Sequence, residues 1–360
     1  MMKPGLGLYR HMLTRDNFRF ARQIGATHIV AHLVDYFRSD AHAATDDQPT
    51  GDDRGWGRAG DPEKLWTTGE LVDLRRAIEA EGLKLEAIEN FDPAHWHDVL
   101  LDGPLRDRHL EQCKTIIRRL GEAGIPVMGY NFSLAGVACR TTGPMARGGA
   151  EAVGVTGGDD RPLPAGMVWN MVYNPDAPAG TMATVTADGL WHRYQGFLDA
   201  LLPVAEEAGV TLAAHPDDPP FASLRGTPRL VHQPALWQRQ FGLNPSPRNQ
   251  VELCVGTLAE MPDADVYQAV DDLSRQQRVG YVHLRDVRGK VPYYWETFLD
   301  EGETDMFQIL SILHRNGYDG VVIPDHTPRL TCAAPWHAGM AHALGWILAA
   351  LRTVEQESGK

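Results

Sequence analysis

The sequence predicts an α/β protein in which one domain forms a closed (β/α)8 barrel, the TIM barrel. Three observations favour this fold. Short, β-branched apolar segments alternate eight times with longer amphipathic segments along the 360 residues, a rhythm typical of parallel β-α units. Several amphipathic segments end in glycine just before the next apolar segment. No glycine-rich phosphate fingerprint follows the first apolar segment, which disfavours a doubly wound sheet.

The strand candidates are the short apolar runs, such as HIVAH, LEAIE and GVVI. In chain order they span residues 5–8, 28–32, 84–89, 126–131, 210–214, 250–254, 280–284 and 320–323. The amphipathic segments between and after them predict helices over 15–24, 68–81, 105–123, 190–208, 228–240, 258–275, 305–316 and 339–353. Glycines in EAEGLKLEAIE, GEAGIPVMGY, EEAGVTLAAH and HRNGYDGVVI are expected to cap helix C-termini, because glycine adopts the left-handed conformation at little cost.

Two long insertions interrupt this rhythm, at about 38–65 and 133–188. Both follow a strand candidate, so in a barrel they would be βα loops on the catalytic face. Loops of this length are usually functional covers or disordered segments. We interpret the second insertion as a lid or as an oligomer contact, and we expect a homo-oligomer.

Composition and charge restrict the partners. The chain has 34 Lys and Arg against 47 Asp and Glu, a net charge of -13, which disfavours binding to nucleic acid or to an anionic membrane. No apolar run approaches the roughly 20 residues of a membrane span, and MMKPGLGLYRH does not resemble a signal peptide. Four scattered cysteines without a CxxC pair predict no disulfide framework. A cytoplasmic protein with a small-molecule substrate is expected.

Metal-capable residues follow four consecutive strand candidates near the C-terminus. They are His215 in VTLAAHPDDPP, Cys254 in QVELCVG, His283 in GYVHLRD and Asp325 in GVVIPDHTPRL. Their spacings of 39, 29 and 42 residues each match about one β-α unit, so they are expected to be neighbours on the barrel rim. Singly, each is more often an ordinary buried residue, but together they predict a divalent metal site. The two histidines and the carboxylate suit Fe²⁺ or Mn²⁺, whereas the cysteine would also allow tetrahedral zinc.

Further residues near these strand ends are candidates for acid/base and binding roles. His326 follows Asp325 directly, so the two side chains should diverge if the segment is extended, and His326 would act as acid or base. Asp217 lies in a proline-rich turn and is expected to contact substrate or support the metal. Arg285 would hold a substrate carboxylate in a bidentate grip. The remaining substrate-binding candidates are Asn131 and His32.

The motifs HPDDPP, VELCVG, VHLRDVRG and IPDHTPRL, in that order, resemble the mannonate dehydratase family. KLWTTGELVDLRRAIEAEGLKLEAIEN and CKTIIRRLGEAGIPVMGYNF extend the resemblance over most of the chain. It implies a (β/α)8 barrel that removes water from D-mannonate to give 2-keto-3-deoxy-D-gluconate with Mn²⁺ or Fe²⁺. By motif, it implies four metal ligands and an acid/base residue: His215, Cys254, His283 and Asp325, with His326.

The segments on the substrate side depart from the family pattern. SLAGVACRTTGP stands where the family has a Met-Pro-Val segment and an Asp-Trp pair, and AHLVDYFRSD replaces a Leu-His-x-Ile-Pro stretch. Near the C-terminus, PWHAGM places Trp336 or His337 where the family has a substrate-side tyrosine. Two alternatives therefore remain: a sugar isomerase, epimerase or β-eliminating lyase on the same barrel, and a non-catalytic protein that binds sugar acids.

Overall fold

The structure is a computed structural model that describes residues 1–37, 48, 50 and 57–358. The strands are β1 (Lys3–Leu8), β2 (His28–His32), β3 (Gly57–Arg58), β4 (Lys84–Glu89), β5 (Val127–Tyr130), β6 (Arg140–Ala146), β7 (Ala150–Thr156), β8 (Met167–Val168), β9 (Met171–Val172), β10 (Thr211–Ala214), β11 (Ser223–Leu224), β12 (Thr227–Pro228), β13 (Asn249–Cys254), β14 (Val279–Leu284), β15 (Asp286–Lys290), β16 (Tyr293–Thr297) and β17 (Val321–Pro324). The α-helices are α1 (Arg15–Gln23), α2 (Thr68–Glu79), α3 (His97–Leu101), α4 (Arg106–Glu122), α5 (Ala187–Ala208), α6 (Ala235–Leu243), α7 (Val255–Glu260), α8 (Val266–Arg275), α9 (Met306–Arg315) and α10 (Pro335–Ser358).

Eight parallel strands close into a barrel in the order β1-β17-β14-β13-β10-β5-β4-β2, so the predicted fold class is confirmed. All eight strand candidates correspond to barrel strands. The glycines expected to end helices have φ between 70° and 78°, which is the left-handed conformation of a helix C-cap: Gly82, Gly124, Gly209 and Gly317. In the described residues, no helix is long and apolar enough to span a bilayer.

The barrel interior combines small apolar residues with a few polar ones. One apolar cluster fills its lower part: Val30, Ala87, Val127, Ala213, Tyr281, Val321 and Ile323. Gly129 makes room for the polar groups above, because a Cβ there would lie 2.3 Å from Tyr281 Oη and 2.9 Å from Glu252 Oε2. Most other buried hydrophobic residues form one large cluster that includes the contacts between strands and helices.

Two helix predictions were wrong in their bounds. The helix expected over 228–240 begins only at α6, because Asp217 accepts hydrogen bonds from the backbone N–H groups of Leu230 and Val231 and holds that segment as a loop. The helix expected over 258–275 is divided into α7 and α8. Pro262 follows Met261, and a residue before proline favours an extended backbone, which Met261 adopts with ψ 128°.

The insertion at 133–188 contains strands β6 to β9. Strands β6 and β7 form an antiparallel pair, and β7 also pairs with β16 of the hairpin β15–β16. The sequence analysis did not predict this hairpin. Most of the insertion at 38–65 lies outside the described residues. Its predicted role as a βα loop on the catalytic face is therefore not assessed for residues 38–47, 49 and 51–56, and the homo-oligomer stays a prediction.

Candidate active site

A pocket opens at the carboxyl end of the barrel strands. Fourteen described residues line it: Tyr9, His32, Tyr36, Glu89, Asn90, Asn131, Val137, Arg140, Trp169, His215, Asp218, His283, Asp325 and His326. Most lie at the last residue of a barrel strand or just after it. This position follows from the topology, because the carboxyl ends of parallel strands all meet at one face of a barrel.

The four predicted metal ligands lie close together at this face. His215, Cys254 and His283 place one potential ligand atom each within 4.8 Å of the others. Asp325 lies beside them, with Oδ1 3.3 Å from His283 Nδ1 and Oδ2 3.8 Å from Cys254 Sγ. The arrangement brings two imidazoles, a thiol and a carboxylate to one point, which is a donor set that divalent transition metals accept.

The electrostatic environment favours the metal-binding form of the cysteine. Burial opposes ionisation of the Cys254 thiol, but the Arg285 guanidinium and hydrogen bonds from His215 and His283 lower its pKa to about 6. The thiolate is the form that binds metals. His215 Nδ1 lies 2.6 Å from the carbonyl oxygen of Pro216. Donation from Nδ1 to that carbonyl orients the ring, and Nε2 would bind a metal after losing its proton.

We call His215, Cys254, His283 and Asp325 the donor cluster. Two buried carboxylates, Glu89 and Glu252, lie next to it, and the sequence analysis did not select Glu252. His283 Nε2 is 3.1 Å from Glu252 Oε1 and 3.4 Å from Glu89 Oε2. Tyr281 donates a hydrogen bond to Glu252. Burial and the nearby charge of Glu89 raise the pKa of Glu252 to about 8. Strand alternation offered a signal, since Glu252 precedes Cys254 by two residues and must point to the same side of β13.

His326 and Asp325 both line the pocket, so the expectation that their side chains diverge was wrong. Strand β17 ends at Pro324, and the alternation of an extended chain does not continue beyond it. His326 Nε2 lies 3.4 Å from Asp325 Oδ1, and its Nδ1 lies 3.4 Å from Glu296 Oε1. Burial opposes a charge on the ring, but these two carboxylates raise the pKa of His326.

Arg285 lies behind the pocket and is absent from its lining. The side chain is 1% exposed and donates to Asp218, Glu260 and Glu296, with Asp325 3.3 Å away. Its placement does not match the predicted grip on a substrate carboxylate, because the side chain points from the strand end into a shell of buried carboxylates. The geometry instead suits a residue that holds Asp218 and Asp325 in place.

We expect Arg285→Met to destabilise the protein by about 3–5 kcal/mol, because removing one partner leaves buried carboxylates without compensation. Chemical denaturation of the variant and the unchanged protein measures the difference in the free energy of unfolding. Arg147→Met is the matched control, since Arg147 pairs with Asp300 at the surface and such pairs contribute about 1 kcal/mol or less. Equal stability of the two variants would contradict the structural role of Arg285.

The three other predicted binding residues differ in placement. Asp217 does not line the pocket; it pairs with Arg229 and accepts from the backbone of the following loop, so its geometry favours a role in loop structure. Asn131 lines the pocket and donates to the carbonyl oxygen of Pro216. His32 also lines the pocket, stacked on Tyr9 with ring centroids 4.3 Å apart.

Several pocket residues escaped the sequence analysis. Arg140 and Trp169 come from the insertion at 133–188, where the hydrophobic residues have no regular spacing that would predict the direction of a side chain. Tyr36 lies beyond the end of β2. In contrast, Trp336 and His337 do not line the pocket: both rings contact Phe20 of α1. They therefore do not take the place of the family's substrate-side tyrosine.

Comparison with known proteins agrees with the motifs. The family model for D-mannonate dehydratase (UxuA) matches residues 22–151 and 179–346. Curated mannonate dehydratases from Streptococcus equi subsp. zooepidemicus and Thermotoga neapolitana are each 31% identical to the chain. The matches cover 74% and 73% of this chain and 76% and 78% of the relatives. The chain belongs to the D-mannonate dehydratase family.

Solved structures show the same fold. The mannonate dehydratase from Streptococcus suis serotype 2 superimposes with a TM-score of 0.76 at 24% identity, covering 100% of this chain and 97% of that one. An L-ribulose 3-epimerase shares the barrel with a TM-score of 0.59 at 16% identity, covering 100% and 97%. The D-mannonate dehydratase family match includes every residue of the donor cluster and His326, whereas Trp169 falls in the unmatched part of the insertion.

Proposed function

We propose that the protein is a metal-dependent dehydratase that converts D-mannonate to 2-keto-3-deoxy-D-gluconate. The observation that carries the proposal is the convergence of four metal-capable side chains, His215, Cys254, His283 and Asp325. All of them except Cys254 line the pocket. Membership of the D-mannonate dehydratase family supports the same reaction. A sugar acid is a small anion with several hydroxyls, which suits the polar lining.

The donor set fits a divalent cation, and we assign Mn²⁺ or Fe²⁺ as the family resemblance implies. The buried ring of His283 contacts a carboxylate on each side: Nε2 lies 3.1 Å from Glu252 Oε1, and Nδ1 lies 3.3 Å from Asp325 Oδ1. A divalent cation held among the thiol and these carboxylates would offset their buried negative charge. Imidazole nitrogen, thiolate sulfur and carboxylate oxygen together are acceptable to such ions.

The chain's own residues supply the proton chemistry. Held by these four ligands, a divalent cation would supply Lewis-acid charge that stabilises the negative charge developing on the substrate carboxylate as a base accepts the C2 proton. We assign to His326 the protonation of the departing C3 hydroxyl. Glu296 and Asp325 flank its ring and favour the protonated form, which supports this assignment. Asn131 and His32 line the pocket, where we propose that they contact substrate hydroxyls.

The test is turnover of a panel of hexonates and uronates before and after removal of metal by a chelator. We expect D-mannonate to lose one water and form a 2-keto-3-deoxy acid, and we expect this activity to disappear on chelation. Addition of Mn²⁺ or Fe²⁺ should restore it. The chelated protein without added metal is the control in each assay.

Three outcomes would contradict the proposal. Isomerised or epimerised products of unchanged mass would place the protein among sugar isomerases. Binding of sugar acids without turnover would indicate a non-catalytic protein. Full dehydratase activity in a metal-free sample would contradict the metal dependence.

A further inference from the structure

Arg140 is a buried cation in the wall of the pocket. It is the first residue of β6, its side chain is 5% exposed, and it is the one arginine or lysine among the described residues that line the pocket. Its Nη2 donates to Asp218 Oδ2 at 3.1 Å. Its Nε has no hydrogen-bond partner within the described residues. A buried guanidinium with an unused donor indicates that a ligand completes its hydrogen bonding.

Arg140 shares the carboxylate of Asp218 with several other groups. Asp218 Oδ2 also accepts from Arg285 Nη2 at 3.0 Å and from Thr257 Oγ1 at 3.2 Å, and Tyr294 donates to Oδ1. Arg285 has further carboxylate partners on its other side. Among the described residues, Asp218 is the one carboxylate within salt-bridge distance of Arg140, so Arg140 has fewer acidic partners than Arg285.

We propose that Arg140 binds the carboxylate of the sugar-acid substrate and so selects acids over neutral sugars. The inference rests on the proposed function for the class of substrate. A guanidinium presents parallel N–H donors that match a carboxylate, and the interaction is stronger in a buried site than in water. Arg140 therefore takes the role in binding a substrate carboxylate that the sequence analysis assigned to Arg285.

The position of Arg140 relative to the donor cluster agrees with this role. Thr257 Oγ1 contacts both Asp218 Oδ2 and Cys254 Sγ, each at 3.2 Å. Arg140 is therefore only a few hydrogen-bond lengths from the proposed metal ligands. An acid whose carboxylate is held by Arg140 has its C2 and C3 atoms close to the donor cluster and to His326, where the reaction is proposed to occur.

The test compares binding of D-mannonate with binding of its neutral amide, D-mannonamide, by calorimetry on the metal-loaded protein, with His326→Asn as the common background in every sample so that turnover during the titration is suppressed. We expect the protein with Arg140 unchanged to prefer the acid. Arg140→Gln should weaken binding of the acid roughly 10- to 100-fold, the usual size of a hydrogen bond to a charged group, while binding of the amide stays within a few-fold. Arg140→Lys should retain part of the preference for the acid, because lysine keeps the positive charge but lacks the two parallel N–H donors of the guanidinium.

Arg147→Gln is the matched control, since Arg147 lies in the same insertion but pairs with Asp300 at the surface. Metal content and a thermal melt of each variant separate a local effect from unfolding; if Arg140→Gln does not fold, Arg140→Lys supplies the measurement. An unchanged preference for the acid in a folded Arg140 variant would overturn the inference and leave the proposed function intact. Failure of the unchanged protein to bind either compound would instead overturn the proposed function.

Discussion

The His283→Ala variant is expected to lose its bound metal ion and its dehydratase activity while keeping the barrel fold. His283 lies at the centre of the donor cluster, 3.3 Å from Asp325 and within 4.8 Å of a ligand atom of His215 and of Cys254. Removal of an outer partner of a ligand already costs about 10- to 100-fold in metal affinity, so loss of a ligand should cost more. Metal analysis after desalting measures the occupancy, and circular dichroism measures the fold.

A matched control separates the site from a general effect of removing histidine. His192→Ala changes an exposed histidine on α5 and should leave metal content and turnover unchanged. His215→Ala should reproduce the loss of metal, since it removes another donor of the same cluster. Full metal occupancy in both His283→Ala and His215→Ala would refute the assigned ligands.

The barrel and the position of the donor cluster followed from local sequence patterns. Apolar segments of strand length alternate with amphipathic helices, several of which end in glycine, and this pattern defines the β-α units. Parallel strands of a closed barrel bring their carboxyl ends to one face. His215, Cys254, His283 and Asp325 lie at the ends of consecutive strands. Their sequence spacing alone was therefore sufficient to predict that they are neighbours.

The inserted sheet could not be predicted in the same way. Strand β7 pairs with β16, so residues 154–156 meet residues 293–295 across more than a hundred positions of sequence. The spacing of hydrophobic residues within one segment does not predict which distant strand that segment pairs with. Arg140 and Trp169 enter the pocket from this insertion, so these two residues could not be selected from the sequence, whereas the proposed metal ligands at the strand ends could.

Side-chain direction beyond a strand end was the other source of error. Arg285 and Asp217 each lie two residues from a proposed ligand, but Arg285 turns towards Glu260 and Glu296 and Asp217 turns towards a loop. His326 turns into the pocket beside Asp325. Strand alternation no longer applies once the strand ends. Sequence proximity to a ligand therefore predicted the region in which these residues lie, but not which groups their side chains contact.

The His326→Asn variant is expected to lower kcat by roughly 10²- to 10⁴-fold, the usual contribution of a general acid, while metal content stays unchanged. Asparagine can still hydrogen-bond to Glu296, the partner of the histidine ring, but it cannot donate a proton to a departing hydroxyl. Because His326 is not one of the four proposed ligands, the variant should keep its metal and bind D-mannonate nearly as before. Steady-state kinetics and metal analysis on the same sample measure both effects. Near-normal turnover would refute the acid role, and a parallel loss of metal would indicate that His326 supports the metal site instead.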